Sequence, residues 1–367
     1  MKKSKIYVYA ICKNEEAFID RWMDAVSEAD GVVVVDTGSE DGTVEKLKKR
    51  GAYVYEEKFT PWRFDTARNS AMNHVPEDAD ICVSNDIDEV FESGWREHLE
   101  QSWDKDCTRA GYWFVWEEKS EQSPEKRFIM EKIHKRHGYK WVHPVHEVLV
   151  YNGSIPEKNI FIENIKLVHK PDPGKSRGQY LPLLELSSRE NPNDDRTKFW
   201  LGREYIYKGR NDDGIQTLTE HLEMPSAIWN EERSASMRFI ARAYRAKGDD
   251  YNARIWLYRA AAECMVTREP WMELARLGYE TEDWPLTLWA SMQGLKVKTS
   301  SRSYLVEPEA WGYLLDDFVA IAAYRLGFFQ IAYEHATIAC SFAPNDERLR
   351  QNLAFIMKEL DGGESDE

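Results

Sequence analysis

The stretch Val32-Val33-Val34-Val35-Asp36-Thr37-Gly38-Ser39-Glu40-Asp41-Gly42-Thr43 is four β-branched residues that stop at a carboxylate and give way to short polar residues and glycines. An apolar run of strand length without polar alternation belongs in a sheet covered on both faces. Working outward, Ile6 to Ile11 reads as an earlier buried strand, with Lys13-Asn14-Glu15-Glu16 at the start of an amphipathic helix running to about Ala29. Downstream, Ala52 to Tyr55 is a third strand, and Pro61-Trp62-Arg63-Phe64-Asp65-Thr66-Ala67-Arg68-Asn69 opens a helix to about Asn73. Asp80 to Ser84 is a fourth strand. Strands alternating with helices define an α/β domain with a mostly parallel sheet, and such sheets bind ligands at the carboxyl ends of their strands.

Two of those ends carry acids. The fourth strand delivers Asn85-Asp86-Ile87-Asp88-Glu89. On extended backbone, positions i and i+2 point the same way, so Asp86 and Asp88 can converge on one hard divalent cation and a diphosphate. At the other end, Asp36 can accept from a ligand N–H, while the short side chains and glycines of residues 37 to 43 let backbone N–H groups approach a ligand. Arg68, in the opening turns of its helix, can meet a base, ribose or phosphate. The plainer alternatives are Asp36 as a turn and cap residue and Arg68 as an exposed helix cation.

The ordered set of strand then Asn-Glu, strand then Asp-x-Gly-Ser-x-Asp-Gly-Thr, helix with Ala-Arg-Asn, and strand then Asp-x-Asp resembles the nucleotide-sugar half of family 2 glycosyltransferases. The resemblance covers about residues 5 to 90. It implies a GT-A (Rossmann-like) fold, a nucleotide-sugar donor, most simply a UDP-sugar, and Mn2+ or Mg2+. It places Asn14, Glu15, Asp36, Gly38, Ser39, Arg68 and Asp86 around the donor, and makes Asp86 and Asp88 metal ligands, with Asp88 acting in catalysis. Tyr139 to Leu149, containing His146-Glu147, resembles the aromatic and His-Glu segment of transferases related to lipopolysaccharide-core enzymes and to the peptide S-glycosyltransferases of glycocin biosynthesis. Glu147 is then the candidate base of an inverting transfer, taking the acceptor proton; Glu89, Glu117 and Glu118 are the other carboxylates in play. A plain loop hydrogen-bonding role for His146 and Glu147 is the alternative. His169, ending the strand-like run Asn164 to Val168, resembles the late histidine that completes a metal or diphosphate site in GT-A enzymes. Trp113 and Trp116, on an aromatic strand from Ala110 to Glu117, are core residues or stacking surfaces for a sugar.

Composition limits the partners. A net charge of −15 over 367 residues disfavours a nonspecific nucleic-acid binder. Transfer to modified nucleic-acid bases would need a local basic strip such as Lys132 to Arg136. No apolar run approaches a membrane span, and the N-terminal strand is too short for a signal peptide, so a cytoplasmic protein is expected. The five cysteines form no Cys-x-x-Cys pair and read as buried thiols.

From about Gly178 the pattern becomes helical. Leu201-Gly202-x-x-Tyr205 with Gly209 and Gly214 recurs 39 positions later as Ile240-Ala241-x-x-Tyr244 with Gly248 and Ala253. A further copy carries Ala320, Ala323, Gly327, Ala332, Ala339 and Pro344, and a degenerate one spans Leu274 to Ala290. The spacing resembles tetratricopeptide repeats, in which small residues allow paired helices to pass closely. The expected organisation is a transferase domain over 1–175, an all-α tetratricopeptide-like repeat domain over 176–361, and an acidic disordered tail over 362–367. The repeats would bind a peptide, pair two copies as a homodimer, or brace the catalytic domain; the acceptor would be a peptide, protein or glycan. The reading set against an enzyme is a peptide-binding scaffold with an inactive transferase domain.

Overall fold

The structure, a computed structural model, describes residues 4–120, 123–172, 174 and 178–363, with side chains described to residue 360. The chain forms two compact units: residues up to Glu117 with Arg127–Ser187, and Glu118–Lys126 with the residues from Ser188 onward.

In the first unit the elements run β1 (Ile6–Cys12), α1 (Ile19–Ala25), β2 (Gly31–Asp36), α2 (Thr43–Lys49), β3 (Tyr53–Glu56), α3 (Phe64–Asn73), β4 (Ile81–Ser84), β5 (Glu89–Phe91), α4 (Trp95–Ser102), β6 (Arg109–Glu117), β7 (Lys126–Lys135), β8 (Tyr139–Val142), β9 (Val148–Tyr151) and β10 (Asn159–His169). Eight strands form one sheet in the order β3-β2-β1-β4-β7-β6-β10-β5, and β8 pairs with β9 separately. β3, β2, β1 and β4 are mutually parallel, as are β6 and β10; β7 runs antiparallel to β4 and β5 antiparallel to β10. The valine run of β2 is buried throughout, as expected of a strand covered on both faces. Helix α3 and the β8–β9 ribbon close a core with it through Ala71, Met72, Trp141 and Leu149.

Two local expectations change. The first helix begins at Ile19 rather than near Lys13, because Asn14 adopts a left-handed backbone (φ 56°) that no helix continues through. Asp86 to Asp88 do not lie on extended backbone: β4 ends at Ser84, and the Glu89 N–H bonds back to the Asp86 carbonyl at 2.9 Å, closing a turn. Asp86 and Asp88 therefore turn apart, the first toward Arg68 and the second toward His169.

The rest of the chain is helical: α5 (Tyr180–Glu190), α6 (Asp195–Tyr207), α7 (Asn211–Glu223), α8 (Asn230–Ala246), α9 (Asp250–Glu263), α10 (Glu269–Glu280), α11 (Trp284–Lys296), a 3-10 turn (Pro308–Trp311), α12 (Leu314–Arg325), α13 (Phe329–Phe342) and α14 (Glu347–Gly363). From α6 to α13 the helices pair as the repeat spacing predicts. At Gly202 an added Cβ would stand 2.6 Å from Leu218 Cγ, so α6 and α7 can approach only because no side chain intervenes. Helix α14 extends to Gly363, and residues 364–367 of the expected tail lie outside the described residues.

The turn within each pair repeats one feature. Gly209, Gly248 and Gly327 each stand two residues after their helix, at φ 74°, 76° and 79°. In the α10–α11 pair the same place is held by Glu282 at φ 55°. A side chain there pays for a left-handed backbone that glycine adopts freely. Glu282→Gly is accordingly expected to stabilise the repeat unit by about 1 kcal/mol, read as a rise in urea midpoint at unchanged slope; a fall would mean that the Glu282 side chain contributes more than its backbone costs.

Candidate active site

The site begins where β4 ends. The turn that carries the chain from β4 into β5 brings it alongside the end of β10, with Glu89 opposite His169 in antiparallel register. The Lys170 N–H donates to the Asp88 carbonyl at 2.7 Å, fixing the turn to the strand end. Asp88 Oδ2 thus comes within 3.5 Å of His169 Nε2. The His169 ring lies flat on Trp116, with centroids 4.3 Å apart and planes 15° from parallel, so Trp116 holds the imidazole. Trp113 is core, donating from its indole N–H to Glu163.

Asp86 faces elsewhere. Arg68 grips it with two bonds, Nη1 to Oδ1 at 2.6 Å and Nη2 to Oδ2 at 2.9 Å, and Lys132 Nζ adds a third contact to Oδ2 at 3.1 Å. Burial alone would raise the Asp86 pKa, but Arg68 and Lys132 outweigh it and hold the carboxyl far below its ordinary range. Arg68 is buried, which would lower its own pKa, yet Asp86 and Glu147 hold it above the usual guanidinium value. The exposed-cation alternative for Arg68 is excluded by this burial. Its Nε donates to Glu147, and its guanidinium lies over the Trp141 ring at 5.3 Å.

Glu147 reaches Arg68 because α3 is stapled to β8: Asn69 donates to the Trp141 carbonyl at 2.8 Å and accepts from the Trp141 N–H at 2.9 Å. The connecting loop bends sharply, with His143 at φ 75° and His146 at φ 50°, a strain of the kind that accompanies functional loops.

Lys132 was legible only as part of a basic strip. In the structure it bridges Asp86 and Glu89, the latter at 2.8 Å. Burial, opposed by Lys132, pushes the Glu89 carboxyl up to about 7. The strip itself is no surface for a polyanion: Lys132 is mostly enclosed, while His134 and Arg136 are buried. Arg136 spends its donors on the carbonyls of Val75, Pro76 and Asn73.

His134 anchors a chain of hydrogen bonds beneath the site. Its Nδ1–H donates to the Lys135 carbonyl at 2.7 Å, leaving Nε2 to accept from the Tyr9 hydroxyl at 2.9 Å, which accepts in turn from the Trp141 indole N–H at 2.8 Å. Every member is satisfied only while the ring is neutral. Burial holds its pKa down, to about 3 from an ordinary 6.5. The unfolded chain therefore binds the extra proton first, and His134's contribution is present above about 6.5 and lost as pH falls toward 3. His134→Gln is expected to shallow the decline of the first unit's unfolding midpoint between pH 6.5 and 5; an unchanged slope would place the acid sensitivity elsewhere.

The β2 end serves its own turn. Asp36 is buried, its Oδ1 accepting from the N–H groups of Gly38 and Ser39 at 3.0 and 2.9 Å and its Oδ2 from the Ser39 hydroxyl. Gly38, at φ 108°, needs to be glycine for its backbone alone. The Asn14 N–H donates to Ser39 Oγ at 2.8 Å and its side chain accepts from the Glu40 N–H, while the Glu15 N–H donates to Thr43 Oγ1. These residues together with Gly38 hold two loops at the carboxyl edges of β1 and β2 in one arrangement. The geometry is the turn role of Asp36; its oxygens are already engaged.

A divalent cation fits part of the expected ligand set. Asp88 and His169 converge at a separation two ligands of one ion can adopt, and carboxylate with imidazole suits Mn2+ chemistry. Asp86 does not fit as a ligand in this arrangement, since both oxygens are engaged by cations. Five free cysteines, four of them buried, bear out the reading of the thiols.

Residues 7–149 match the family described as Glycosyl transferase family 2, a match that supports glycosyltransferase activity. No curated protein matches the chain. Solved structures similar to it include a chain of the APC/C hetero-tetramer Cut9-Hcn1 (13% identity, 50% of this chain and 33% of that one, TM-score 0.38). Others are MamA (14% identity, 46% and 89%, TM-score 0.37) and the C-terminal part of a TPR repeat-containing protein from Cytophaga hutchinsonii (12% identity, 50% and 67%, TM-score 0.41). This chain spans about a third of the Cut9-Hcn1 chain it matches. Among the described residues no helix is long and apolar enough to cross a membrane.

Proposed function

We propose that this glycosyltransferase moves a sugar from a UDP-sugar to a peptide, protein or glycan acceptor in the cytoplasm, with inversion, using a divalent cation held by Asp88 and His169. The observation that carries the reading is the convergence of Asp88 and His169 at 3.5 Å beside the buried Arg68–Asp86 pair. Mn2+ or Mg2+ there would neutralise charge developing on the departing diphosphate.

The chain's own residues supply the rest. The loops locked by Asp36, Asn14 and Ser39 form a fixed wall along which the donor lies. Arg68 exchanges a carboxylate for a phosphate of the donor, a partner its planar fork matches equally well. That exchange frees Glu147 to take the acceptor proton. Lys132 keeps Asp86 paired while Arg68 turns. The helical repeats are assigned to acceptor binding or to pairing of two copies, which size-exclusion chromatography with and without acceptor separates.

The test is a panel of nucleotide sugars with Mn2+, reading binding and slow hydrolysis. Asp88→Ala is expected to weaken metal-dependent donor binding by roughly tenfold or more. If no nucleotide sugar binds in the presence of metal, the reading fails.

A further inference from the structure

The first helices of the repeat unit carry three side chains that the transferase chemistry does not use. Asp195 opens α6, His221 lies in the last turn of α7, and Glu232 lies in the first turn of α8. Their ligand atoms all lie within 4.8 Å of one another. His221 is 0% exposed, and its Nε2 has no hydrogen-bond partner. That nitrogen faces Glu232 Oε1 at 3.5 Å.

Each of the two buried groups is oriented from behind. His221 Nδ1 shares a hydrogen bond with Ser236 Oγ at 3.0 Å, and the other oxygen of Glu232 accepts from the Tyr304 hydroxyl at 2.7 Å. Such support from behind is the usual companion of metal-ligating imidazoles and carboxylates. With the proton on Nδ1 and donated to Ser236, Nε2 turns a lone pair toward a carboxylate oxygen. Two acceptors facing each other inside a protein are unfavourable unless a cation lies between them.

The distances suit one. Two ligands each 2.0–2.1 Å from a tetrahedral ion stand about 3.4 Å apart, close to the Nε2–Oε1 separation. We propose that Asp195, His221 and Glu232 bind a divalent transition-metal ion of the Zn2+ class, with water in the fourth position. One nitrogen and two carboxylates suit such an ion, and the buried acid charge is balanced by it. Because the ligands come from three successive helices, the ion clips the first helix pair of the array to the second. Repeat arrays are held by contacts between neighbours, so a clip at this junction strengthens the end of the array. The opposing arrangement puts the proton on Nε2, where it makes one long contact to Glu232 and binds no metal.

The test uses the full chain, stripped with chelator and titrated with Zn2+ by calorimetry. The wild type and Asp88→Ala are expected to bind one equivalent that His221→Gln and Glu232→Gln lose; retention in Asp88→Ala separates this site from the proposed donor site. Asp195→Asn, at a partly exposed helix start, tests the same ion with little risk to the fold and is expected to weaken it by roughly tenfold or more. Zn2+ is also expected to raise the thermal midpoint of the wild type and of Asp88→Ala but not of His221→Gln. The proposal is overturned if His221→Gln and Asp195→Asn bind as much Zn2+ as the wild type, or if all Zn2+ binding disappears in Asp88→Ala.

Discussion

Arg68→Ala is expected to cost the first unit about 3–5 kcal/mol, the range for breaking a buried ion pair by removing one partner. The figure follows from what the substitution leaves behind. Arg68 satisfies Asp86 through two bonds and Glu147 through a third, and the Arg68 and Glu147 side chains are 8% and 10% exposed. Lys132 still reaches Asp86, so Asp86 keeps one cation. Glu147 keeps none from this cluster. Arg68→Lys should recover little, since an ammonium cannot fork between two carboxylates. Urea unfolding of the first unit measures the loss; less than 1 kcal/mol would show that water replaces Arg68 and that the cluster is open.

Glu147→Gln is expected to lower transfer by about 10²–10⁴-fold, the range for losing a positioned general base, while donor affinity holds or tightens. Affinity is predicted to hold because the base acts on the acceptor. It can tighten because a neutral amide competes less than a carboxylate for Arg68, which on the proposed reading the donor diphosphate captures. Measuring UDP-sugar Kd beside kcat separates the outcomes. Unchanged transfer assigns the proton to another carboxylate, and loss of donor binding together with transfer makes Glu147 a positioning partner of Arg68.

The features of the sequence that carried over are those with one physical solution. Val32 to Val35 can be buried on both faces only in a covered sheet, and the glycines at 209, 248 and 327 mark turns because few other residues take that backbone. Convergence of Arg68, Asp86 and Glu147 was only partly visible. Each was a candidate alone, but their pairing depends on Asn69 reaching Trp141 across 72 positions, which no local pattern encodes. Nothing local marks Lys132 as a site residue: a lysine between Glu131 and Ile133 looks like ordinary strand decoration, and burial does not alternate there, Ile133 and His134 both being buried. Asp86 and Asp88 do not share a face because β4 ends at Ser84, four residues short of the Asp88 position that alternating faces would require. The cluster of Asp195, His221 and Glu232 comes from three helices and has no signature in sequence at all.

The left-handed Glu282 has a consequence for how the helical array comes apart. In a chain of helix pairs each opening event starts where a pair is held least firmly, and the α10–α11 turn alone among the described pair turns lacks its glycine. Amide protons on either side of that turn should exchange with solvent sooner than those beside Gly209, Gly248 or Gly327. The array would then melt as two blocks meeting at residue 282, and a protease would find its first cut there.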